Sequence, residues 1–121
     1  MKKILVVEDN EKNRVLMRDL LTYNGYLVLE ASNGKEGLEI AEREKPDLIL
    51  MDIQMPIMDG FEAVEILKSN QKTKHIKVIA LTSFAMKEEK QKILKSGVDG
   101  YISKPIKVPE FVDLVKKFLE E

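Results

Sequence analysis

The stretch LILMDIQMPIMDG, residues 48–60, joins two signals that pull against each other. Its first four residues, Leu48 to Met51, are all apolar, the pattern of a strand buried on both faces. The run then ends in Asp52, at a place where burial makes charge expensive. Pro56 and the pair Asp59-Gly60 follow, marking a tight connection into a helix, with Gly60 expected to supply backbone freedom. Met55, Ile57 and Met58 read as side chains that cover this connection. A carboxylate at the tip of a core strand is either a solvated strand end or a reactive group held on a rigid support. Its neighbours decide which.

Working outward, short apolar runs recur at 4–7, 26–29, 78–81 and 101–102. Amphipathic segments separate them at about 11–24, 34–44, 60–69, 85–96 and 108–119. In the last, Phe111, Val112, Val115, Phe118 and Leu119 form one apolar stripe at helical spacing. Stop and start signals agree. Asn24-Gly25 and Ser96-Gly97 suit helix C-termini, Ser32 or Asn33 suits an N-cap, and Pro109 suits a first helical turn. Five strands alternating with five helices imply an α/β domain, a parallel sheet with helices on both faces, across residues 1–121. Of the two common doubly wound layouts, five units favour strand order 2-1-3-4-5, with ligands at the C-terminal strand ends near the switch between strands 1 and 3.

Composition narrows the function classes. A chain of 121 residues buries a sizeable core without staples. With no cysteine there is neither a disulfide nor a thiolate metal site. A net charge of −1 offers no broad electrostatic footprint for nucleic acid. No apolar run approaches a membrane span, and the Met-Lys-Lys start enters a strand rather than a secretory signal. A cytoplasmic domain is expected.

The residues that end the strands are the informative ones. Strand 1 delivers Glu8 and Asp9, strand 3 Asp52, strand 4 Thr82 and Ser83, and strand 5 Ser103 and Lys104. Strand 2, at the edge, delivers only Ala31, Ser32 and Asn33. Three carboxylates therefore meet at the switch point, where their repulsion calls for a proton or a cation. Oxygen donors without His or Cys suit a hard ion, and a shallow rim suits Mg²⁺ with retained waters. A carboxylate flanked by a Mg²⁺ site, a lysine and a hydroxyl suits phosphoryl chemistry. Asp52 would attack phosphorus, while Lys104 and the metal offset charge on the phosphoryl oxygens and Thr82 donates a hydrogen bond. His75, the single histidine, has no partner ligands at useful spacing and reads as an exposed loop residue.

Over nearly its whole length the sequence resembles the receiver domain of two-component response regulators, particularly the stand-alone type of the chemotaxis regulators. The motifs are VVEDN after strand 1, LMDIQMPIMDG around strand 3, ALTS after strand 4 and YISKP after strand 5. The resemblance implies a flavodoxin-like fold and assigns the acidic pair to Glu8 and Asp9, the phosphoacceptor to Asp52, the switch hydroxyl to Thr82 and the conserved-type lysine to Lys104. It also implies a Mg²⁺ ligand in the backbone carbonyl of Gln54, a switch aromatic in Tyr101 and a cis Lys104-Pro105 bond. Gln54 and Phe84 occupy the family's two positions that tune loss of the phosphoryl group. The implied function is a switch phosphorylated by a sensor histidine kinase or a histidine phosphotransfer protein. It would signal to a downstream protein through the face of helix 4, strand 5 and helix 5, most simply as a monomer. Alternatives are an intermediate phosphorelay carrier or a receiver excised from a larger regulator. No enzymatic turnover on an outside substrate is expected, and no organic cofactor.

Rival readings fit less well. A flavodoxin-type electron carrier needs a hydroxyl- and glycine-rich phosphate loop after strand 1, where VEDNEKN instead supplies carboxylates. An aspartyl phosphatase commonly carries a second acid two residues beyond its nucleophile, where this chain has Gln54.

Overall fold

All five residues of β3 (Leu48–Asp52) are buried, and β1 (Lys3–Val7) and β4 (Lys77–Thr82) flank it. The computed structural model describes residues 1–55, 58–83 and 87–120, without the side chains of 87–90. The remaining elements are α1 (Glu11–Tyr23), β2 (Leu27–Ala31), α2 (Gly34–Glu44), α3 (Gly60–Ser69), α4 (Lys87–Lys95), β5 (Gly100–Ser103) and α5 (Val108–Glu120). The sheet is parallel throughout with order β2-β1-β3-β4-β5, as the alternation implies.

Strand alternation sorts the apolar residues into two cores. Ile4 and Val6, Leu48 and Leu50, and Ile79 and Leu81 pack with Met17 and Leu21 of α1 and with Phe111, Val112 and Val115 of α5. Leu5 and Val7, Ile49 and Met51, and Val78 face the other way, against Ala41 of α2 and Ala63, Val64 and Leu67 of α3. Full burial of one such Leu or Ile contributes roughly 1.5–3 kcal/mol, so the three central strands anchor the molecule. A smaller cluster of Ile53, Ala80 and Ile93 carries α4, with Phe61, Val98 and Tyr101 packed on it.

The helix ends follow local chemistry. Asn10, Asn33 and Asp59 are N-caps of α1, α2 and α3, their side chains accepting from the backbone N–H groups of Asn13, Glu36 and Glu62. Asn33, rather than Ser32, therefore starts α2. Gly25 at φ 92° and Gly97 at φ 100° take the left-handed geometry after α1 and α4. Gly60 differs from expectation. It is wanted for close approach rather than for backbone freedom, since a Cβ there would lie 2.4 Å from the Ile53 Cα and 2.5 Å from the Asp52 carbonyl oxygen. Met55 is buried in the α2–α3 core and Met58 packs against it, both covering residues as read; Pro56 and Ile57 lie outside the described residues. The edge strands are displaced from their sequence reading: β2 begins at Leu27 rather than Tyr26, and β5 extends to Ser103.

Candidate functional site

The register that pairs Val7 with Met51 brings the next residues together, Glu8 just past the end of β1 and Asp52 as the last residue of β3. Alternation turns both toward the α1–α5 side of the sheet, the side taken by Val6 and Leu50. Lys104 has the same parity as Ile102, which packs on that face. Its ammonium reaches across the rim and donates to Glu8 Oε1 at 2.6 Å and Asp52 Oδ2 at 3.1 Å. Asp52 Oδ1 accepts the Gln54 backbone N–H at 2.8 Å. One lysine thus bridges two buried acids that lie on strands 1 and 3.

Charge is not balanced by this bridge. Glu8, Asp9 and Asp52 each offer a carboxylate oxygen within 4.8 Å of one another, Asp9 from the exposed rim. Glu8 is fully buried, and among the described residues its Oε2 has no hydrogen-bond partner. Burial pushes the Glu8 carboxyl up to about 7, with neighbouring Asp52 adding to the rise and Lys104 opposing it. For Lys104, burial works against the ammonium, but the bonds to Glu8 and Asp52 outweigh it and its pKa is raised. An orphaned buried oxygen among three carboxylates fits a hard cation with oxygen ligands. The donor set agrees with Mg²⁺, and Glu8, Asp9 and Asp52 are the side chains on hand to hold it.

Thr82, the last residue of β4, is fully buried. Its carbonyl oxygen accepts the Lys104 N–H at 2.7 Å, so the ends of β4 and β5 are tied together behind the acids. Alternation places Thr82 on the side of Ala80, opposite the face shared by Leu81. Tyr101 pairs in register with Ala80 and packs half-buried on the cluster containing it, which puts the expected switch residues on one face. The Lys104-Pro105 bond is cis. Phe84, singled out from the sequence, lies outside the described residues.

Two contacts escaped the sequence reading. The Gln54 side chain spans from the end of β3 to the end of β4, its Oε1 accepting the Ser83 N–H at 3.0 Å and the Ser83 hydroxyl at 2.6 Å. Arg14 of α1 donates from Nη1 to the Glu8 carbonyl oxygen at 3.0 Å and from Nε to Glu30 Oε1 at 3.2 Å. Neither partner pair has a telling spacing in the chain, because each joins separate elements. His75 is exposed in the loop before β4, as expected.

Residues 4–116 match the family model of the response regulator receiver domain. The chain belongs to the response regulator receiver family. This receiver is 47% identical over 118 residues to the polar-differentiation response regulator DivK of Brucella anthropi, covering 98% of the chain and 96% of the relative. DivK of Brucella abortus is 46% identical with the same coverage. Among solved structures, the chemotaxis protein CheY4 of Vibrio cholerae matches with a TM-score of 0.92 and 30% identity, over 98% of this receiver and 99% of that chain. The receiver domain of the sensor histidine kinase PA1611 from Pseudomonas aeruginosa matches with a TM-score of 0.91 and 30% identity, over 99% and 98% of the two chains. That structure carries a magnesium ion coordinated in its active site cleft. Receivers work in two-component signalling, between histidine kinases and downstream targets.

Proposed function

We propose that this receiver accepts a phosphoryl group on Asp52 in a Mg²⁺-dependent reaction and signals through the altered surface that results. The observation that carries the reading is the bridge from Lys104 to Glu8 and Asp52 beside the unpartnered, buried Glu8 Oε2. A structural ion pair would satisfy its own oxygens; this one leaves one oxygen and a surplus of negative charge for a cation.

In the proposed step a carboxylate oxygen of Asp52 attacks phosphorus of the donor. The new O–P bond forms as the bond from phosphorus to the leaving group breaks, and the leaving imidazole or carboxylate takes that electron pair. Asp52 is held for this by a rigid strand and by the Gln54 N–H. Lys104, already in contact with Asp52, is placed to neutralise charge on the transferred group. Thr82 is assigned the hydrogen bond to a phosphoryl oxygen. Glu8, Asp9 and Asp52 would hold the Mg²⁺, with the Gln54 carbonyl as the further ligand the resemblance implies, and the ion would supply further positive charge to the site.

A cleft of about 330 Å³ beside Lys104, lined by Asn13, Leu16, Ser83, Lys104, Pro105 and Ile106, supports an approach of the phosphodonor protein from that side. Leu16 is exposed there, an apolar contact on the lip of a polar site. The phosphoryl group stays on the chain's own side chain, so we assign no turnover on an outside substrate. We place the receiver in the cytoplasm; among the described residues no helix is long and apolar enough to cross a membrane.

Incubation with acetyl phosphate and Mg²⁺ tests the proposal. A single base-labile adduct should form on Asp52, and Asp52→Asn should abolish it because an amide is a poor nucleophile. Labelling that survives Asp52→Asn would remove Asp52 from the role.

A further inference from the structure

We propose that Arg14 and Glu30 are positioning residues for the acidic cluster, clamping the peptide between Glu8 and Asp9 so that both carboxylates converge on the cation. The inference rests on the reading of that cluster as the Mg²⁺ site.

The carbonyl that accepts Arg14 Nη1 at 3.0 Å belongs to the peptide joining the two acids. A trans peptide is planar from one Cα to the next, so holding its oxygen restricts the tilt of the unit that carries both acids. One of them, Glu8, turns inward and is buried, while Asp9 stays at the exposed rim. The clamp is anchored in turn. Arg14 Nε donates to Glu30 Oε1 at 3.2 Å, and Arg18, one helical turn on, donates to Glu30 Oε2 at 3.4 Å. Glu30 is the neighbour of Ala31, whose carbonyl accepts the Glu8 N–H at 3.0 Å. The tip of β1 is therefore tied to β2 twice, once directly and once through the Arg14 fork. The fork matters, since a lysine at this position lacks two planar donors to serve the carbonyl and the carboxylate together.

Electrostatics alone assigns Arg14 the opposite effect. A guanidinium beside three carboxylates competes with a divalent cation for their field, so removing it should tighten Mg²⁺ binding. A positioning role predicts looser binding. The sign separates the two.

The test is a Mg²⁺ titration of the full chain at fixed ionic strength, followed by amide shifts at residues 8, 9 and 52–54. Arg14→Met should weaken binding about tenfold, at the low end of what loss of an outer-shell partner costs. Arg14→Lys keeps the charge and loses the fork, and should weaken binding by a smaller factor; it also serves if Arg14→Met fails to fold. Glu30→Gln in the Arg14→Met background should add nothing, because its anchor role has already gone. Thermal midpoints measured in chelator separate the clamp from a general structural part, which would lower the midpoint and leave the Mg²⁺ affinity alone. Equal or tighter Mg²⁺ binding by Arg14→Met, or unchanged binding by Arg14→Lys, overturns the inference. A parent protein that binds no Mg²⁺ shows instead that the reading of the cluster as a cation site has failed, and the clamp falls with it.

Discussion

Glu8 is where burial and charge collide most directly, and it yields a pH dependence with a definite sign. Its carboxyl is raised from 4.5 to about 7, chiefly by burial, so between these values the folded chain holds a proton that the unfolded chain has lost. The resulting stability is fully present below about 4.5 and is lost as pH rises through about 7. Its full size is on the order of 3 kcal/mol. In chelator, the thermal midpoint of the parent should therefore fall between pH 5 and pH 8 relative to that of Glu8→Gln, which has no proton to lose. Added Mg²⁺ should recover the parent at pH 8, where the carboxylate is free to bind it, and should do little for Glu8→Gln. Parallel midpoint curves for parent and variant would show that Glu8 does not titrate in this range. Lys104, whose pKa is raised, contributes stability that is lost only at still more alkaline pH and leaves this window clear. The sequence made Glu8 visible as a strand-end acid. It did not reveal the burial, the orphaned oxygen or the Arg14 contact, since these depend on which elements the fold sets beside it.

At the scale of elements, legibility tracked burial. The runs in β1, β3 and β4 stand out because both faces are covered and their central positions are apolar, and the sequence pattern locates them within a residue or two. The edge strand β2 is mostly half-buried, with Leu27 exposed, and the pattern that marks its start is correspondingly weak. The connection from β3 to α3 has the sequence pattern of a loop with a permissive glycine, but its end is a cap followed by a close packing contact. Asp59 accepts from the Glu62 N–H at 2.9 Å, a cap that the spacing of Asp59 and Glu62 itself advertises. Gly60 then lets the first turn of α3 sit against the backbone of Asp52 and Ile53. Gly60→Ala should cost about 3 kcal/mol, because the obstacle is backbone and cannot swing aside. That is roughly a 10 °C fall in the thermal midpoint for a domain of this size. Gly25→Ala should cost only about 1 kcal/mol, since nothing lies within 4 Å and the penalty is confined to its left-handed φ of 92°. Equal losses in the two variants would show that α3 can retreat from β3. Any retreat should also reduce labelling of Asp52 by acetyl phosphate, as its own carbonyl is part of the contact.

For the molecule as a whole, the question is how an event at Asp52 reaches a surface that a partner can read. Thr82 and Tyr101 lie on the same face of adjacent strands, with Tyr101 in register with Ala80, two residues before Thr82. The Lys104 N–H holds the Thr82 carbonyl at 2.7 Å, so a displacement of Thr82 toward Asp52 draws the end of β5 with it. Tyr101 is half-buried on Ala80, Ile53 and Ile93, short of full burial, and under the proposed switch any space released by Thr82 would give its ring a place to go. In the proposed switch that motion would change the outline of α4, β5 and α5 without unfolding any of them, a shift between two packed states. Beryllofluoride, standing in for the phosphoryl group on Asp52, makes the step observable. In the parent it should strengthen the nuclear Overhauser contacts from the Tyr101 ring to the Ala80 methyl. In Thr82→Ala, beryllofluoride should still bind through Asp52 and Lys104, yet the Tyr101 contacts should stay as they were. Linkage adds a reciprocal demand: Tyr101→Ala, by removing one end of the coupling, should change beryllofluoride affinity by no more than the coupling itself, within about 3 kcal/mol. If the Tyr101 contacts shift as fully in Thr82→Ala as in the parent, the signal passes around the hydroxyl and the route through β4 and β5 has to be abandoned.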